Sequence, residues 1–324
     1  MTDAIKPGSD DDDDDDVTDV WHDGERAVQE RMGVRARLAE VGPHAILDAM
    51  PDAHRAFFGL LPFAVLGVLD DDGHPRASLL CGPPGFLVSP DPRTLTILTR
   101  PSSSDPIAAG LKEGAPIGLL GLQPHTRRRN RANGVVDSVH DRRFAVQVRQ
   151  SFGNCPKYIQ AREPSYVSHV PGARSTVHRS AQLDDDARRL IGGADTFFIA
   201  SAHPSHGVDV SHRGGKPGFV DVDDDGVLLV PDFLGNHYFN TLGNLVVEPR
   251  AGLCFVDYDS GALLQLSVTA EVLWEGSAVD AFVGAQRLLR FVVSDVVRLE
   301  HAVPLRWSPV TPSPLLRATG EWPR

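Results

Sequence analysis

The sequence predicts a mainly β protein with peripheral helices (α+β), built as two tandem β-barrels. Three observations predict it. Short apolar runs alternate with acidic or Pro-Gly turns, the second half repeats the order of the first, and a helical segment precedes each run of strands.

From the N-terminus, residues 22–49 carry apolar residues at helical spacing (Val28, Met32, Val34, Leu38, Val41), with Asp23 or the residues before it as cap. Residues 52–61 form a second short helix that Pro62 ends. The period then changes. Residues 63–69 read as a buried strand, Asp70-Asp-Asp-Gly73 as a hairpin turn, and 76–81 as its partner. Strands at 85–88 and 94–98 flank a turn at 89–92, a short helix covers 107–112, and strands follow at 117–122, 128–136 and 144–148.

The second half repeats this order. Residues 196–201 take the place of 63–69, and 208–213 that of 75–80. The clearest match sets Gly82-Pro-Pro-Gly-Phe86 against Gly215-Lys-Pro-Gly-Phe219, each followed by an acidic turn and an apolar strand. Ile117-Gly-Leu-Leu120 matches Ala251-Gly-Leu-Cys254, and the helix at 184–191 matches 52–61. The implied organisation is an acidic tail (1–20), a first barrel with its helices (21–163), a linker rich in Ser, Pro, Gly and His (164–181) and a second barrel (182–324). Within the last, 279–293 reads as an amphipathic helix and 296–299 as a closing strand before a Pro-rich tail.

Composition narrows the function. The hydrophobic content of 41% suits a globular core, and no run is long and apolar enough for a membrane span. No apolar stretch follows a basic start, so no secretory signal is expected. Cys81, Cys155 and Cys254 lie far apart without metal-ligand spacing, and the expected setting is cytoplasmic. Asp10–Asp16 supplies seven of the charges behind the net −11, and without them −4 remains. Such a run repels itself and buries nothing, which predicts a disordered tail. The acidic balance disfavours nucleic acid, and the one basic cluster (Arg127, Arg128, Arg129, Arg131) has no interleaved aromatics.

Several stretches of the second half together resemble the pyridoxamine 5'-phosphate oxidase-like FMN-binding split barrels. They are Asp209-Val-Ser-His-Arg213, Gly226-Val-Leu-Leu-Val-Pro231, Gly235-Asn236, Asn240-Thr-Leu-Gly-Asn-Leu245 and Pro249-Arg250. The resemblance runs over 196–274 and less sharply over 63–160. It implies two split barrels forming a pseudo-dimer within one chain, FMN in the groove between them, and an oxidoreductase acting on a small molecule. NAD(P)H is a further implied partner and a homodimer of the whole chain remains open. The other reading is a non-catalytic flavin, deazaflavin or haem binding protein, or a subunit of a larger redox system.

Carried over by position, the resemblance implies phosphate contacts from Ser211, His212 and Arg213. It adds Pro231, Asp232, Gly235, Asn236, His237 and Asn240 around a helix N-terminus that favours an anion. Gln265 matches a flavin-contacting strand glutamine, with Arg129 at the equivalent place in the first unit. Asn154, Cys155, Lys157, Tyr158 and Gln160 match a segment that touches flavin held by the opposite barrel. Asn154 equally suits a helix cap with Pro156 in the first turn. No catalytic residue is assigned. The first unit, with Arg76, Ser78 and the 100–105 loop, reads as a degenerate site. Basic residues of the oxidases' phosphate loop are replaced here by Asn236 and His237, which weakens pyridoxal phosphate synthesis as the reaction. His203, His206 and His212 sit on a turn and a strand that do not converge them, so no metal is expected.

Overall fold

The computed structural model describes residues 19–168 and 176–322. The Asp-rich run and part of the predicted linker lie outside the described residues.

Three helices open the chain: α1 (Asp23–Arg31), α2 (Arg35–Ala45) and α3 (Asp52–Gly59). The single helix expected over 22–49 is broken at Gly33, whose φ of 66° no helix continues. His22 caps α1 in a reciprocal box with Glu25. The first sheet holds β1 (Phe63–Leu69), β2 (Pro75–Cys81), β3 (Leu87–Asp91), β4 (Thr94–Ile97), β5 (Pro116–Gln123), β6 (Arg128–His140) and β7 (Arg143–Gly153), with α4 (Ile107–Gly110) between β4 and β5. Two short strands follow, β8 (Pro164–Tyr166) and β9 (Val177–Ser180), then α5 (Asp185–Gly193). The second sheet holds β10 (Thr196–His203), β11 (Gly207–Gly214), β12 (Asp221–Val222), β13 (Leu228–Phe233), β14 (Arg250–Val256), β15 (Leu263–Leu273) and β16 (Ala285–Leu299). Helix α6 (Asn240–Val247) precedes β14, and α7 (Ser277–Ala281) precedes β16; β17 (Leu305–Trp307) comes last.

The two sheets have one topology. The first runs β2-β1-β5-β6-β7-β4-β3 and the second β11-β10-β14-β15-β16-β13-β12, all pairs antiparallel, so each strand has its counterpart nine places on. The repeated Gly-x-Pro-Gly-Phe turns behave alike. Gly85 and Gly218 both take positive φ, and a Cβ on Gly82 or Gly215 would collide with Phe86 or Phe219 of its own turn. Each sheet wraps a core of its own, one around Leu66, Leu119 and Phe144, the other around Phe197, Leu253 and Phe291.

A third apolar core joins the barrels. Val65, Ala77, Leu79 and Leu120 of the first meet Phe198, Val210, Cys254 and Val297 of the second. The approach is symmetric and close: a Cβ on Gly118 of β5 would lie 2.6 Å from the Val208 carbonyl oxygen. One on Gly252 of β14 would lie 2.4 Å from that of Pro75. Glycine is required at both places because backbone, not a yielding side chain, stands opposite.

Three expectations change. Residues 279–293 hold only the last turn of α7 (Ser277–Ala281) before entering β16, which pairs with both β13 and β15. Apolar spacing suited a helix, yet the barrel needs a long strand there, and Phe291, Val292 and Val293 favour one. The linker contributes structure, since β8 pairs with β17 and β9 with β16. After Asn154 there is a turn at Lys157–Tyr158 with Tyr158 at φ 62°, and no helix for Asn154 to cap. Among the described residues, no helix is long and apolar enough to cross a membrane.

Gly118→Ala and Gly252→Ala are each expected to cost about 1–3 kcal/mol or more in urea unfolding, because the new methyl overpacks against backbone. Gly192→Ala, in helix α5 with nothing within 4 Å, is expected to be neutral or slightly stabilising.

Candidate functional site

Strand alternation builds a crevice between the barrels. Along β11, Asp209, Ser211 and Arg213 share one face, while Val208, Val210 and His212 turn to the other. On β6 of the first barrel, Arg129, Arg131 and Asn133 share a face directed at β11, and Arg128 lies opposite with its guanidinium 5.0 Å from the Phe57 ring. Asp232 at the end of β13 is paired in register with Arg287 of β16. The segment 234–239 and the first turn of α6 close the remaining side. The resulting crevice is open to solvent and has a cavity volume of about 110 Å³, less than the roughly 300–1,000 Å³ usual for small-molecule clefts.

The polar groups form an incomplete network. Arg131, 6% exposed, donates to Asp209 Oδ1 at 3.0 Å and to Ser211 Oγ, which also accepts from Thr241 Oγ1 at 2.7 Å. Asp209 further accepts from Asn133 at 2.7 Å and Asn244 at 3.2 Å. Arg213 is ion-paired to Asp232 through Nη1. Arg287, 2% exposed, has only a 3.6 Å approach of its Nε to the same carboxylate, beside the rings of Phe239 and Trp274. Arg129 makes one long bond, 3.4 Å, to the His212 carbonyl.

Unpartnered buried donors remain on all four arginines: the Nε of Arg129, Arg131, Arg213 and Arg287, with Nη1 of Arg287. Four guanidiniums thus face two carboxylates, Asp209 and Asp232. A third, Glu25 of α1, bonded to Asn240 at 2.5 Å, is pushed up to about 8 by burial first and the Asp209 charge second. Burial, then the neighbouring Arg131, pushes the Arg129 guanidinium down to about 9. The crevice therefore has excess positive charge and spare donors, the requirements for binding an anion.

Of the residues singled out in the sequence, the structure gathers Ser211, Arg213, Asp232, Gly235, Asn236, His237, Asn240 and Asn154 around this crevice. Pro231, Lys157 and Tyr158 line an adjoining pocket that shares Arg129 and Arg213. Lys157 and Tyr158 both donate to the Leu234 carbonyl, at 3.2 and 3.4 Å, and so hold the loop. His237 sits at the rim against Arg37, with its ring stacked on Phe239. Cys155 is a half-buried free thiol beside these residues.

Three assignments change. His212 reaches the crevice rim, but its ring packs edge-on to Phe198 in the apolar seam, the place Leu79 holds in the first barrel; burial holds it well below the usual imidazole range. Gln160 is tied to the Gly215 carbonyl and the Ser313 amide, a clamp on the C-terminal tail. Gln265 faces the other crevice, donating to Ser78 at 2.9 Å and Asp105 at 3.0 Å. Its counterpart is Arg131, not Arg129: counted from the matched Gly118 and Gly252, Leu120 pairs with Arg131 as Cys254 pairs with Gln265.

Arg131, Arg287, Thr241 and Glu25 were missed. Arg129-x-Arg131 on one strand was a readable signal, since alternation puts both on one face. Arg287 was hidden by the helical reading of its segment. The same register puts Leu80 in place of Arg213, Leu263 in place of Arg129 and Ser78 in place of Ser211, so, with Gln265 in place of Arg131, the related crevice lacks three of the arginines and has the buried acid Asp105. Arg76 is no phosphate ligand there; it is paired with Asp70 and Asp295.

No curated protein matches the chain at a significant level. Among solved structures, HupZ of Group A Streptococcus shares 14% identity, covering 35% of this chain and 90% of its own, with a TM-score of 0.30. A FAD-binding protein of Mesorhizobium loti shares 12% (38% and 97% covered, TM-score 0.27). The heme storage protein HutZ of Vibrio cholerae also shares 12% (37% and 95% covered, TM-score 0.27). The sequence model of the pyridoxamine 5'-phosphate oxidase family matches residues 50–178, which hold the first barrel, whereas the sequence resemblance was sharper in the second. That match in one half and the strand order common to both halves make the chain similar to the pyridoxamine 5'-phosphate oxidase-like split barrels.

Proposed function

We propose that the arginine-lined crevice binds FMN by its phosphate and that the protein is a flavin-dependent oxidoreductase acting on a small molecule in the cytoplasm. The observation that carries this reading is the set of unpartnered guanidinium donors converging from both barrels. A phosphate close to a dianion would accept those donors and offset the excess charge. Arg129 and Arg287 have the fewest protein partners and are the principal ligands in this reading, with Arg213 sharing its charge between Asp232 and the ligand. Arg131, already committed to Asp209 and Ser211, positions the strand rather than gripping the phosphate.

When bound, FMN supplies hydride transfer, with NAD(P)H as a candidate donor, and the protein supplies binding, orientation and exclusion of water. Phe233, Phe239 and Tyr158 offer apolar surface for a ring system near the cation cluster. His212 turns its ring into the seam and His237 is held by Arg37, so among the described residues no imidazole is aimed at the cations. A second reading is a protein that binds flavin, deazaflavin or haem without turnover. Bleaching of the bound chromophore by NADPH or NADH supports the enzyme; reduction by dithionite alone supports the carrier.

Arg129→Ala and Arg287→Ala are each expected to weaken FMN binding by about 1.5–3 kcal/mol, the loss of a charge-assisted contact, read by quenching of flavin fluorescence. Arg100→Ala, at the other crevice, is expected to change it little. An equal loss at Arg100 would overturn the assignment to one crevice.

The other crevice makes its own prediction. Burial raises the Asp105 carboxyl above its usual value, against bonds from Ser78, Gln265 and the Ile107 amide. The folded chain then keeps this proton to higher pH than the unfolded chain, so stability from this group falls as pH rises above the ordinary carboxylate range. Asp105→Asn abolishes the titration. Its urea midpoint, compared with that of the parent, is expected to improve progressively from mildly acidic to neutral pH.

A further inference from the structure

Where the N-terminus of α1 meets the β10–β11 hairpin, three imidazoles and a carboxylate converge from segments about 180 residues apart. His203 Nε2 lies 2.7 Å from Asp23 Oδ1, and His22 Nδ1 lies 3.8 Å from the same oxygen. The His22 and His203 rings lie tilted with centroids 4.3 Å apart, and His206 closes the group at 4.7 Å from His203. The turn thus does converge His203 and His206, contrary to the sequence expectation, whereas His212 lies at the far end of β11.

We propose that His22, Asp23 and His203 bind one divalent first-row transition ion, such as Zn²⁺, which clasps α1 to the second barrel. Each of the three brings a ligand atom within 4.8 Å of the other two. Ligand atoms on a tetrahedral zinc at about 2.0–2.1 Å lie roughly 3.4 Å from one another, so adjustments of about an ångström complete the site. Two imidazoles and a carboxylate form a donor set suited to such ions.

Two further features bear on a ligand. His22 is 5% exposed, yet its Nε2 has no hydrogen-bond partner, Glu25 Oε2 lying 3.6 Å away, while the Nδ1 bond to the Glu25 amide is long at 3.4 Å. Behind His203, Nδ1 accepts from the Ser205 amide at 3.2 Å, so a metal on Nε2 moves the ring proton to Nδ1, where Ser205 Oγ at 3.3 Å and His206 Nδ1 at 3.1 Å can accept it in place of the amide bond. Asp23 is 66% exposed, so water has access to the remaining coordination positions. The proposal is independent of the anion-binding reading, since none of its ligands lines the arginine crevice.

The test is Zn²⁺ titration of the full, tag-free chain after chelator treatment, by calorimetry and by the shift in Tm. Asp10–Asp16 is a competing cation binder, so the titration is repeated with all seven aspartates replaced by Asn. Saturable uptake of one ion per chain, surviving those replacements and raising Tm, is the expected result. His203→Ala is expected to weaken it at least about tenfold, a loss that even outer partners of a metal ligand can carry. If His203→Ala does not fold, Asp23→Asn serves instead, since that largely exposed carboxylate can be changed without opening the core. Uptake that disappears with the aspartate run, or that His203→Ala and Asp23→Asn leave unchanged, overturns the proposal, as does the absence of saturable uptake.

Discussion

The close approach of backbone at two glycines sets everything else in the molecule. Gly118 lets β5 lie against β11, and Gly252 lets β14 lie against β2. The strands next in each sheet, β6 and β15, then run past the opposite barrel within reach of a side chain. Only with that spacing does Arg131 reach Asp209 and Ser211 across the seam, and only then does Gln265 reach Ser78 and Asp105. A larger residue at either glycine would separate the backbones, and the polar contacts on both flanks would stretch together. The seam and the two crevices are one geometric object.

Covalent tandem arrangement lets the two crevices differ. In a symmetric homodimer each substitution appears twice, so an arginine added to one crevice is added to both. Here the places of Arg213 and Arg131 are taken in the related crevice by Leu80 and Gln265, and a buried carboxylate, Asp105, satisfies the donors itself. Burying guanidiniums is costly unless partners are supplied, and Asp209 and Asp232 supply them only in part. One crevice thus has the Ser78 and Gln265 donors satisfied and the other is left with donors to spare.

Much of the fold was legible because strand period, turn chemistry and internal repetition agreed with one another. The strand at 63–69 coincides with β1, and the Pro-Gly-Phe turns recur at equivalent places in both barrels. Failures arose where tertiary pairing outweighed a local pattern. Residues 279–293 have a spacing that a helix would accept, but β13 and β15 both need a neighbour, and the misreading concealed Arg287. Gln265 was aligned two residues out of register; in a strand this preserves the face but moves the side chain about 6.6 Å along it. His22 and His203 carried no shared signal, because nothing in sequence ties positions so far apart.

The N-terminal helices, which precede most of the family-matched segment, belong to the crevice rather than to its periphery. The loop leading into α6 contains His237 and Phe239 at positive φ, a conformation costing about 1 kcal/mol or more for residues with a Cβ. Such a loop persists only if its surroundings hold it. Those surroundings come from α1, α2 and the residues just before α1: Gln29 donates to the Tyr238 carbonyl at 3.3 Å, Trp21 packs on the Tyr238 ring and Arg37 meets His237. Gly24 and Gly243 let α1 and α6 touch backbone to backbone, which brings Glu25 onto Asn240 at the first turn of α6. The barrels place the arginines, and the helices fix the strained loop that faces them. Loosening α1 would therefore disturb the crevice without touching a single arginine.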